Sequence, residues 1–286
     1  MELNLFPPSL YKYYPPKNWD FIFKQWTIRF TPMNEFNDPF EALPKLNFCI
    51  KETHNKIYLD IVTKLLLRRF MPQIYSLDFS SFLDEYYTFM NDRIIREKYY
   101  QDSYREKFHK NFTMLCGAFC LTESDDNMLM WSHYADSHKG FVIEFDAEHI
   151  HSSVIHGKQS LMFNKIVYVQ DRPEIDMYDL WNRGNDTDMY VTALKYFYSK
   201  SDRWKYEKEW RTVIKFHETE RQNNNFGVVS IDQRAIKSVT FGISMSDSEV
   251  NKKYKEIKSD EKCAHISLRK AIQHEKEYKI IINNLD

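Results

Sequence analysis

Residues 203–211, RWKYEKEWR, combine three aromatic rings with six charged side chains and no small residue. A carboxylate can stabilise a cation that develops during bond cleavage, while Lys and Arg side chains bind phosphates. Aromatic rings add a surface on which another ring stacks. A surface helix accepts the charges and a core strand accepts the rings, but the wall of a pocket accepts both. The segment therefore indicates a site for a ligand that carries a ring and negative charge.

The end of this segment continues as a predicted strand, EWRTVIKF, over residues 209–216. Because side chains alternate along a strand, Glu209 and Arg211 share one face, and Trp210 lies on the other, core-facing side. One alternative is that the charged face is exposed, in which case the pair contributes about 0–1 kcal/mol. Trp204 and Tyr206, directly upstream, favour the pocket instead. Both interpretations stay open on the sequence.

The surroundings of this segment are positively charged. Between Lys195 and Lys215 there are seven Lys or Arg residues and three acidic residues, with six aromatic residues interleaved. A nucleotide fits this combination of rings and cations. Single-stranded nucleic acid also fits, because stacking on aromatic side chains and phosphate attraction are its usual binding forces.

A second group of candidates lies in NMLMWSHYADSHKG, residues 127–140, which predicts a helix beginning near Asp126 or Asn127 and ending between 138 and 140. Trp131 belongs to a Met–aromatic stripe typical of a core. His133 is a candidate ligand contact, with a structural histidine as the alternative. The next strand, FVIEFD, carries Glu144 among apolar residues, which favours an edge strand over a deliberately placed carboxylate.

Composition excludes several classes of protein. The net charge is −1 and the pI is about 6.8, so the whole chain gives no case for nonspecific binding to nucleic acid. Six glycines form neither G-x-G-x-x-G nor a P-loop motif, and no zinc-site spacing of His and Cys occurs, so we expect no bound metal. Four cysteines without a C-x-x-C pair indicate reduced thiols. With no signal peptide and no apolar run of 18 residues, we expect a cytoplasmic protein with no membrane contact.

The pattern along the chain predicts a single α+β domain over residues 1–286. Short alternating strands predict mixed, mostly antiparallel sheets around a cleft. Residues 53–110 have apolar residues at helical spacing and predict an inserted helical hairpin, which we expect to offer a surface for a protein partner.

Four separated motifs, LYKYYPP, FTPMNEFNDPFE, CLTESDDNMLMWSHYADSHKGFVIEFD and KSDRWKYEKEWR, resemble a widespread bacterial family known as domain of unknown function 2971. That family has no established activity, so the resemblance implies membership rather than a reaction.

A looser resemblance is to ADP-ribosyltransferases, which bind NAD in a cleft between two small sheets. In this sequence the resemblance puts Lys12 or Tyr13 at the first of three polar positions, Thr31 at the second and Glu209 at the third. The first position is normally His or Arg, so the sequence departs from the family there. The resemblance implies catalytic roles for Glu209, Thr31 and Lys12.

The same resemblance implies how NAD would be held. Arg211, Lys205 or Lys12 would bind the pyrophosphate, and Trp204 or a tyrosine such as Tyr13 would stack on a ring. His133 is a further candidate contact for the cofactor. The resulting hypothesis is an NAD-type transferase or glycohydrolase that acts as a toxin or in phage defence. The residues leave two alternatives open: a ligand-sensing or protein-interaction module without catalysis, and a protein that binds single-stranded nucleic acid.

Overall fold

A computed structural model describes residues 6–47, 116–152, 154–155, 159–176, 194–216, 219, 221–223 and 226–285. The predicted helical hairpin at 53–110 lies outside the described residues. The chain divides into two compact units. Unit 1 contains residues 1–31, 118–166 and 203–286, and unit 2 contains residues 32–117 and 167–202. The single domain expected from the sequence stays a prediction.

The strands have the following bounds: β1 Ser9–Tyr14, β2 Thr27–Pro32, β3 Lys45–Asn47, β4 Cys116–Thr122, β5 Phe141–Asp146, β6 Val154–Ile155, β7 Gln159–Ser160, β8 Asn164–Lys165, β9 Val167–Val169, β10 Glu174–Asp176, β11 Ser199–Ser201, β12 Glu209–Lys215, β13 Arg221–Asn223, β14 Phe226–Ser230, β15 Ile236–Phe241, β16 Ser267–Gln273 and β17 Ile280–Asn284.

The α-helices are α1 Trp19–Phe23, α2 Met128–Tyr134, α3 Ala147–Ser152 and α4 Asp247–Lys258. Short 3-10 segments occur at Pro16–Asn18, Met33–Glu35, Asp202–Glu207, Gln233–Ala235 and Glu261–Cys263. Residues 194–197 are also helical and lead into β11. No helix among the described residues has the length and apolar character needed to cross a membrane.

Unit 1 is built on a large sheet in the order β13-β14-β2-β4-β1-β5-β15-β16-β17, with β12 pairing with β4 and β8. Neighbouring strands with a described register are antiparallel, except that β15 and β16 run parallel. This confirms the predicted α+β class with mixed, mostly antiparallel sheets. The strands form where β-branched and aromatic residues alternate with polar ones.

One face of this sheet carries the main hydrophobic core of unit 1. Leu10 from β1, Phe141 and Phe145 from β5 and Phe241 from β15 are completely buried there. Trp19 from α1 packs edge-on against Phe141, with ring centroids 5.1 Å apart. Burying these large apolar surfaces is the dominant favourable term in folding the unit.

Helix α2 covers part of the opposite face. Met130 and Trp131 contact Tyr13 and Val142 in a second buried cluster, and the Trp131 ring packs edge-on against Tyr13 at 5.3 Å. The Asn127 side chain accepts hydrogen bonds from the backbone N–H groups of Leu129 and Met130, which confirms the predicted helix start.

The predicted end of α2, at 138–140, is too late. Asp136, Ser137 and His138 have positive φ angles of 47°, 51° and 67°, so the helix stops at Tyr134 and the chain turns sharply. Gly140 then passes so close to β1 that an added Cβ would overlap sterically with the Tyr14 carbonyl oxygen. Only glycine allows this approach.

Unit 2 contains two short parallel strand pairs, β3 with β10 and β9 with β11. The Lys45 backbone N–H donates to the Pro173 carbonyl at 2.8 Å, and the Val167 N–H donates to the Tyr198 carbonyl at 2.8 Å. Next to these pairs, Glu41 and Lys200 form a buried ion pair. Unit 2 therefore has its own buried polar contact in addition to apolar packing.

The close approach at Gly140 makes a testable prediction. Replacing Gly140 by Ala forces the backbone at residue 140 away from the Tyr14 backbone on β1. We therefore expect the free energy of unfolding to fall by roughly 1–3 kcal/mol, the usual cost of overpacking. The measurement is urea unfolding followed by circular dichroism, with Lys139→Ala, at the exposed neighbouring position, as the control. Equal stability of the two variants would contradict the predicted contact.

Candidate functional site

A buried ion pair lies at the start of β12. Arg211 is completely buried, and its Nε donates to the Oε1 atom of Glu209 at 2.8 Å, with a second guanidinium nitrogen 2.7 Å from the same oxygen. Glu209 is only 3% exposed. Both faces of β12 are covered along most of its length, so the alternative of a solvent-exposed charged face is wrong.

The N-terminal strand contributes a second cation to this cluster. The Lys12 ammonium donates to the Cys120 carbonyl at 2.8 Å and lies 4.9 Å from the centre of the Phe119 ring. Burial lowers the pKa of Lys12, while the charges of Glu209 and Glu207 act in the opposite direction. These carboxylates are therefore close enough to Lys12 to influence its charge state.

The Cys120 thiol belongs to the same cluster. Burial, followed by the nearby Glu209 carboxylate, raises the pKa of Cys120 to about 12. A thiol with so high a pKa stays protonated at neutral pH, and only the thiolate is strongly nucleophilic. Cys120 is thus a packing residue of the cluster and not a nucleophile.

Glu207 links this buried cluster to helix α2. Its side chain is 3% exposed and accepts a hydrogen bond from the Tyr134 hydroxyl at 2.6 Å, while its carbonyl accepts one from the Thr122 hydroxyl at 2.5 Å. Lys208, between the two glutamates, has a φ of 44°, a conformation that costs a non-glycine residue about 1–2 kcal/mol. The surrounding hydrogen bonds hold the chain in this conformation.

These contacts define the buried charge cluster, which consists of Lys12, Cys120, Glu207, Glu209 and Arg211. Its two cations and two carboxylates balance in formal charge. Buried charges are tolerated only when they are paired and hydrogen-bonded. The cluster therefore fixes the relative positions of β1, β4 and β12.

Beside the buried charge cluster lies a set of rings that retain solvent exposure. The Trp204 ring is 5.9 Å from Tyr206 and 6.4 Å from His133, measured between centroids. His133 is exposed, and Trp204 and Tyr206 are half-buried. The Asn127 side-chain amide donates to the Tyr206 carbonyl at 3.2 Å, which ties the segment Asp202–Glu207 to the start of α2. We call His133, Trp204 and Tyr206 the aromatic cluster.

Two exposed cations, Arg203 and Lys205, alternate with the rings on the same 3-10 segment. One acidic residue, Asp202, begins the segment. The arrangement provides ring faces for stacking and positive charge for phosphate. Within the described ranges, no group of three or more His, Cys, Asp or Glu side chains has the arrangement of a metal site.

The structure brings several predicted site residues together in two groups. Lys12, Glu209 and Arg211 meet in the buried charge cluster, and Trp204 and His133 meet in the aromatic cluster. Complete burial means that Arg211 stabilises Glu209 instead of presenting a guanidinium to a ligand at the surface. Lys205, being exposed, is the cation that remains accessible.

Two other predicted residues lie elsewhere in unit 1. The Tyr13 hydroxyl donates to the Ser124 carbonyl at 3.0 Å, and its ring packs in the core against Trp131. Thr31 is half-buried on β2. Among the described residues, no hydrogen bond or ion pair joins Thr31 to Lys12 or Glu209. The predicted catalytic role of Thr31 stays a prediction.

Sequence reasoning missed a polar network centred on Glu144. Strand β5 lies between β1 and β15, so the expectation of an edge strand is wrong. The Glu144 carboxylate accepts hydrogen bonds from the hydroxyls of Ser9 at 2.7 Å and Ser238 at 2.6 Å, and from Arg269 at 3.0 Å. The signal in the sequence is that each neighbouring strand carries a polar residue at a position that faces Glu144.

The Glu144 network extends to Tyr11 and Asp125. Arg269 lies 3.6 Å from the Asp125 carboxylate, and burial, together with the charges of Glu144 and Asp125, raises the pKa of Tyr11 to about 12. The Tyr11 hydroxyl therefore stays protonated at neutral pH. Since the carboxylates are paired with Arg269 and with hydroxyl donors, the network stabilises the centre of the sheet.

One comparison with known families finds a match to part of the chain. Residues 130–212 match the family model described as protein of unknown function (DUF2971). We call this stretch the DUF2971 region. It contains Glu144, most of α2, the aromatic cluster and three members of the buried charge cluster. This supports the resemblance expected from the motifs in that stretch.

No curated protein and no solved structure matches the chain. The resemblance to ADP-ribosyltransferases therefore has no support from these comparisons, and any activity must be argued from the site.

The buried ion pair gives a stability prediction. Arg211→Met leaves the Glu209 carboxylate buried without its cation, so we expect a loss of about 3–5 kcal/mol in the free energy of unfolding. The double variant Glu209→Gln/Arg211→Met should lose less than the sum of the two single variants, because it leaves no isolated charge. Urea unfolding at neutral pH measures all three.

The matched control is the exposed pair Asp20–Lys24, whose charged atoms are also 2.8 Å apart. Solvent screens this pair, so Lys24→Met should change stability far less than Arg211→Met. Similar losses in both variants would show that the Arg211 guanidinium is not buried as described.

Proposed function

We propose that the protein binds a ligand of the nucleotide class at the aromatic cluster, with the base against Trp204 and the phosphates beside Lys205 and Arg203. The observation that carries this proposal is the combination, on one six-residue segment, of partly exposed aromatic rings with alternating exposed cations. The His133 ring, from α2, adds a third ring to the same surface.

The energetics of stacking favour a ring-bearing ligand. Stacking of a base on an aromatic side chain contributes about 1–3 kcal/mol, and it tolerates different bases because each has a π face. Partly exposed Trp and Tyr side chains cluster at binding surfaces because one side of each ring is apolar and the other meets water. The cluster offers this surface without requiring a glycine-rich loop.

The rigidity of the segment supports binding as well. Glu207 accepts hydrogen bonds from Tyr134 and Thr122, and the Tyr206 carbonyl accepts one from Asn127. These contacts hold the segment before any ligand arrives. A preorganised site loses less conformational entropy on binding, so more of the interaction energy appears as affinity.

The cations should contribute chiefly through the phosphates. Arg203 and Lys205 are exposed, so their attraction for an anion is screened by salt. Affinity for a nucleotide should therefore fall as the salt concentration rises, while affinity for the uncharged nucleoside should change little.

The test is calorimetric titration with ADP and NAD, comparing the wild-type protein with Trp204→Ala. Loss of the stacking surface should weaken binding by about 5- to 150-fold, the equivalent of the 1–3 kcal/mol expected for one stacked base. Tyr278→Ala is the control, since Tyr278 is 98% exposed and lies outside the cluster.

Absence of saturable binding by either nucleotide, or equal affinity in the wild-type and Trp204→Ala proteins, would refute the proposal. Tighter binding of a short single-stranded RNA than of ADP would assign the same surface to nucleic acid instead.

A second candidate function is cleavage of the bond between nicotinamide and ribose in NAD. The observation that favours it is that the Glu209 carboxylate lies near the Lys12 ammonium in one cluster of charged groups. The C1′–N bond would break with its electron pair leaving on nicotinamide, and water or another acceptor would form a new bond to C1′ and lose a proton. Glu209 would stabilise the oxocarbenium-like charge in the transition state.

This candidate is tested by measuring nicotinamide released from NAD. Wild-type protein should release it, and Glu209→Gln should not, with Glu275→Gln, at an exposed position, as the control. Circular dichroism checks that Glu209→Gln is folded, because the substitution also removes the counter-charge of Arg211. A wild-type protein that binds NAD without releasing nicotinamide would refute cleavage and leave the binding proposal standing.

A further inference from the structure

We propose that unit 2 contains a separate binding pocket for a small anionic group, of the size of a phosphate or a carboxylate. The pocket lies within unit 2 and shares no residue with the aromatic cluster. This inference is independent of the proposed nucleotide site.

The pocket is small, and its lining combines apolar residues, which contribute most of its surface, with polar and charged ones. Its volume is about 40 Å³, and the lining includes Arg172, Lys195, Ser199, Lys200 and Ser201, with Phe40 exposed beside them. A cavity needs roughly 10–15 Å³ for each water molecule it holds, so there is room for about three. This space is large enough for a phosphate or carboxylate group.

The charge around the pocket is positive. Arg172, Lys195 and Lys200 contribute three cations to the lining, against one acidic residue, Asp171. Glu41 lies behind the wall, with its carboxylate 3.3 Å from the Lys200 ammonium. Counting Glu41 as well, one formal positive charge remains, so the pocket favours an anion.

The buried member of this set is Lys200. Its side chain is 5% exposed and that of Glu41 is 1% exposed, so the pair has lost most of its hydration. Burying an ion pair costs several kcal/mol per ion before the attraction between the ions is counted, and such pairs give weak evidence of stability.

The pocket lies at one end of the strand pair formed by β9 and β11. Strands β9 and β11 run parallel, and the lining includes the last residue of each, Val169 and Ser201, together with residues 170–173 that follow β9.

The pocket also changes the interpretation of the basic stretch 195–215. The sequence predicts one anion site over its whole length, but the boundary between the units falls between Asp202 and Arg203. Lys195 and Lys200 therefore line the pocket of unit 2, while Lys205 lies beside the aromatic cluster of unit 1. One charged stretch thus supplies two sites.

The experiment is calorimetric titration of the full chain with inorganic phosphate and, separately, with acetate, at constant ionic strength. Wild-type protein should bind at least one of the two anions saturably. Removing one accessible cation, in Lys195→Gln or Arg172→Gln, should weaken that binding by about tenfold, as expected for a charge-assisted hydrogen bond. Lys139→Gln, an exposed lysine of unit 1, should bind as the wild type does.

A third variant addresses the buried pair. Lys200→Met alone would strand the Glu41 carboxylate, so the double variant Glu41→Gln/Lys200→Met is used, and circular dichroism confirms its fold. It should abolish binding. Phosphate binding without acetate binding would identify a phosphate site, and binding of both would identify a general anion site.

Three results would overturn the proposal. These are no saturable binding of either anion by the wild type, unchanged affinity in both Lys195→Gln and Arg172→Gln, or an equal loss in Lys139→Gln. The first two variants change exposed side chains, so the test does not depend on whether the double variant folds.

Discussion

The pairing of Arg211 with Glu209 is the constraint on which the rest of the site depends. A completely buried guanidinium must be neutralised, and the nearest carboxylate lies two residues earlier on the same strand. That requirement places β12 against β4 and brings Lys12 close to both carboxylates. Glu207, two residues before Glu209, is held by hydrogen bonds from Tyr134 and Thr122. These bonds also fix the preceding residues of the segment, which carry the rings. Burial of charge at the base of the segment thus gives order to the rings at its surface.

The DUF2971 region joins two kinds of chemistry in one continuous stretch of chain. Its residues in unit 1 supply the aromatic cluster and the carboxylates beneath it, while residues 195–201 supply part of the wall of the unit 2 pocket. The two proposed sites differ in what they recognise. The aromatic cluster offers stacking surfaces with screened, exposed cations, whereas the pocket offers a narrow space beside a buried ammonium group. We therefore propose that separate parts of the chain recognise a ring and a small anionic group.

Much of the fold follows from local patterns, and the errors arise where distant strands decide the outcome. The local sequence pattern predicts β5 and β12, and Asn127 marks the start of α2. The sequence does not specify strand order. It therefore favours an edge strand for Glu144, although β5 lies between β1 and β15 in the sheet. The burial of Arg211 depends on strands far away in the chain. The local sequence therefore does not reveal it and leaves Arg211 available for a ligand. The sequence also does not predict that the basic stretch divides after Asp202, since residues adjacent in sequence can belong to different units.

The most direct test of the central claim, that the ordered rings above the buried charges receive a nucleotide, is fluorine NMR of protein labelled with 5-fluorotryptophan. The chain has six tryptophans, and Trp204→Phe assigns the resonance of Trp204. Titration with ADP should shift the Trp204 resonance saturably and leave that of the completely buried Trp131 unchanged. An unshifted Trp204 resonance at saturating ADP, or equal shifts of all six resonances, would contradict the account.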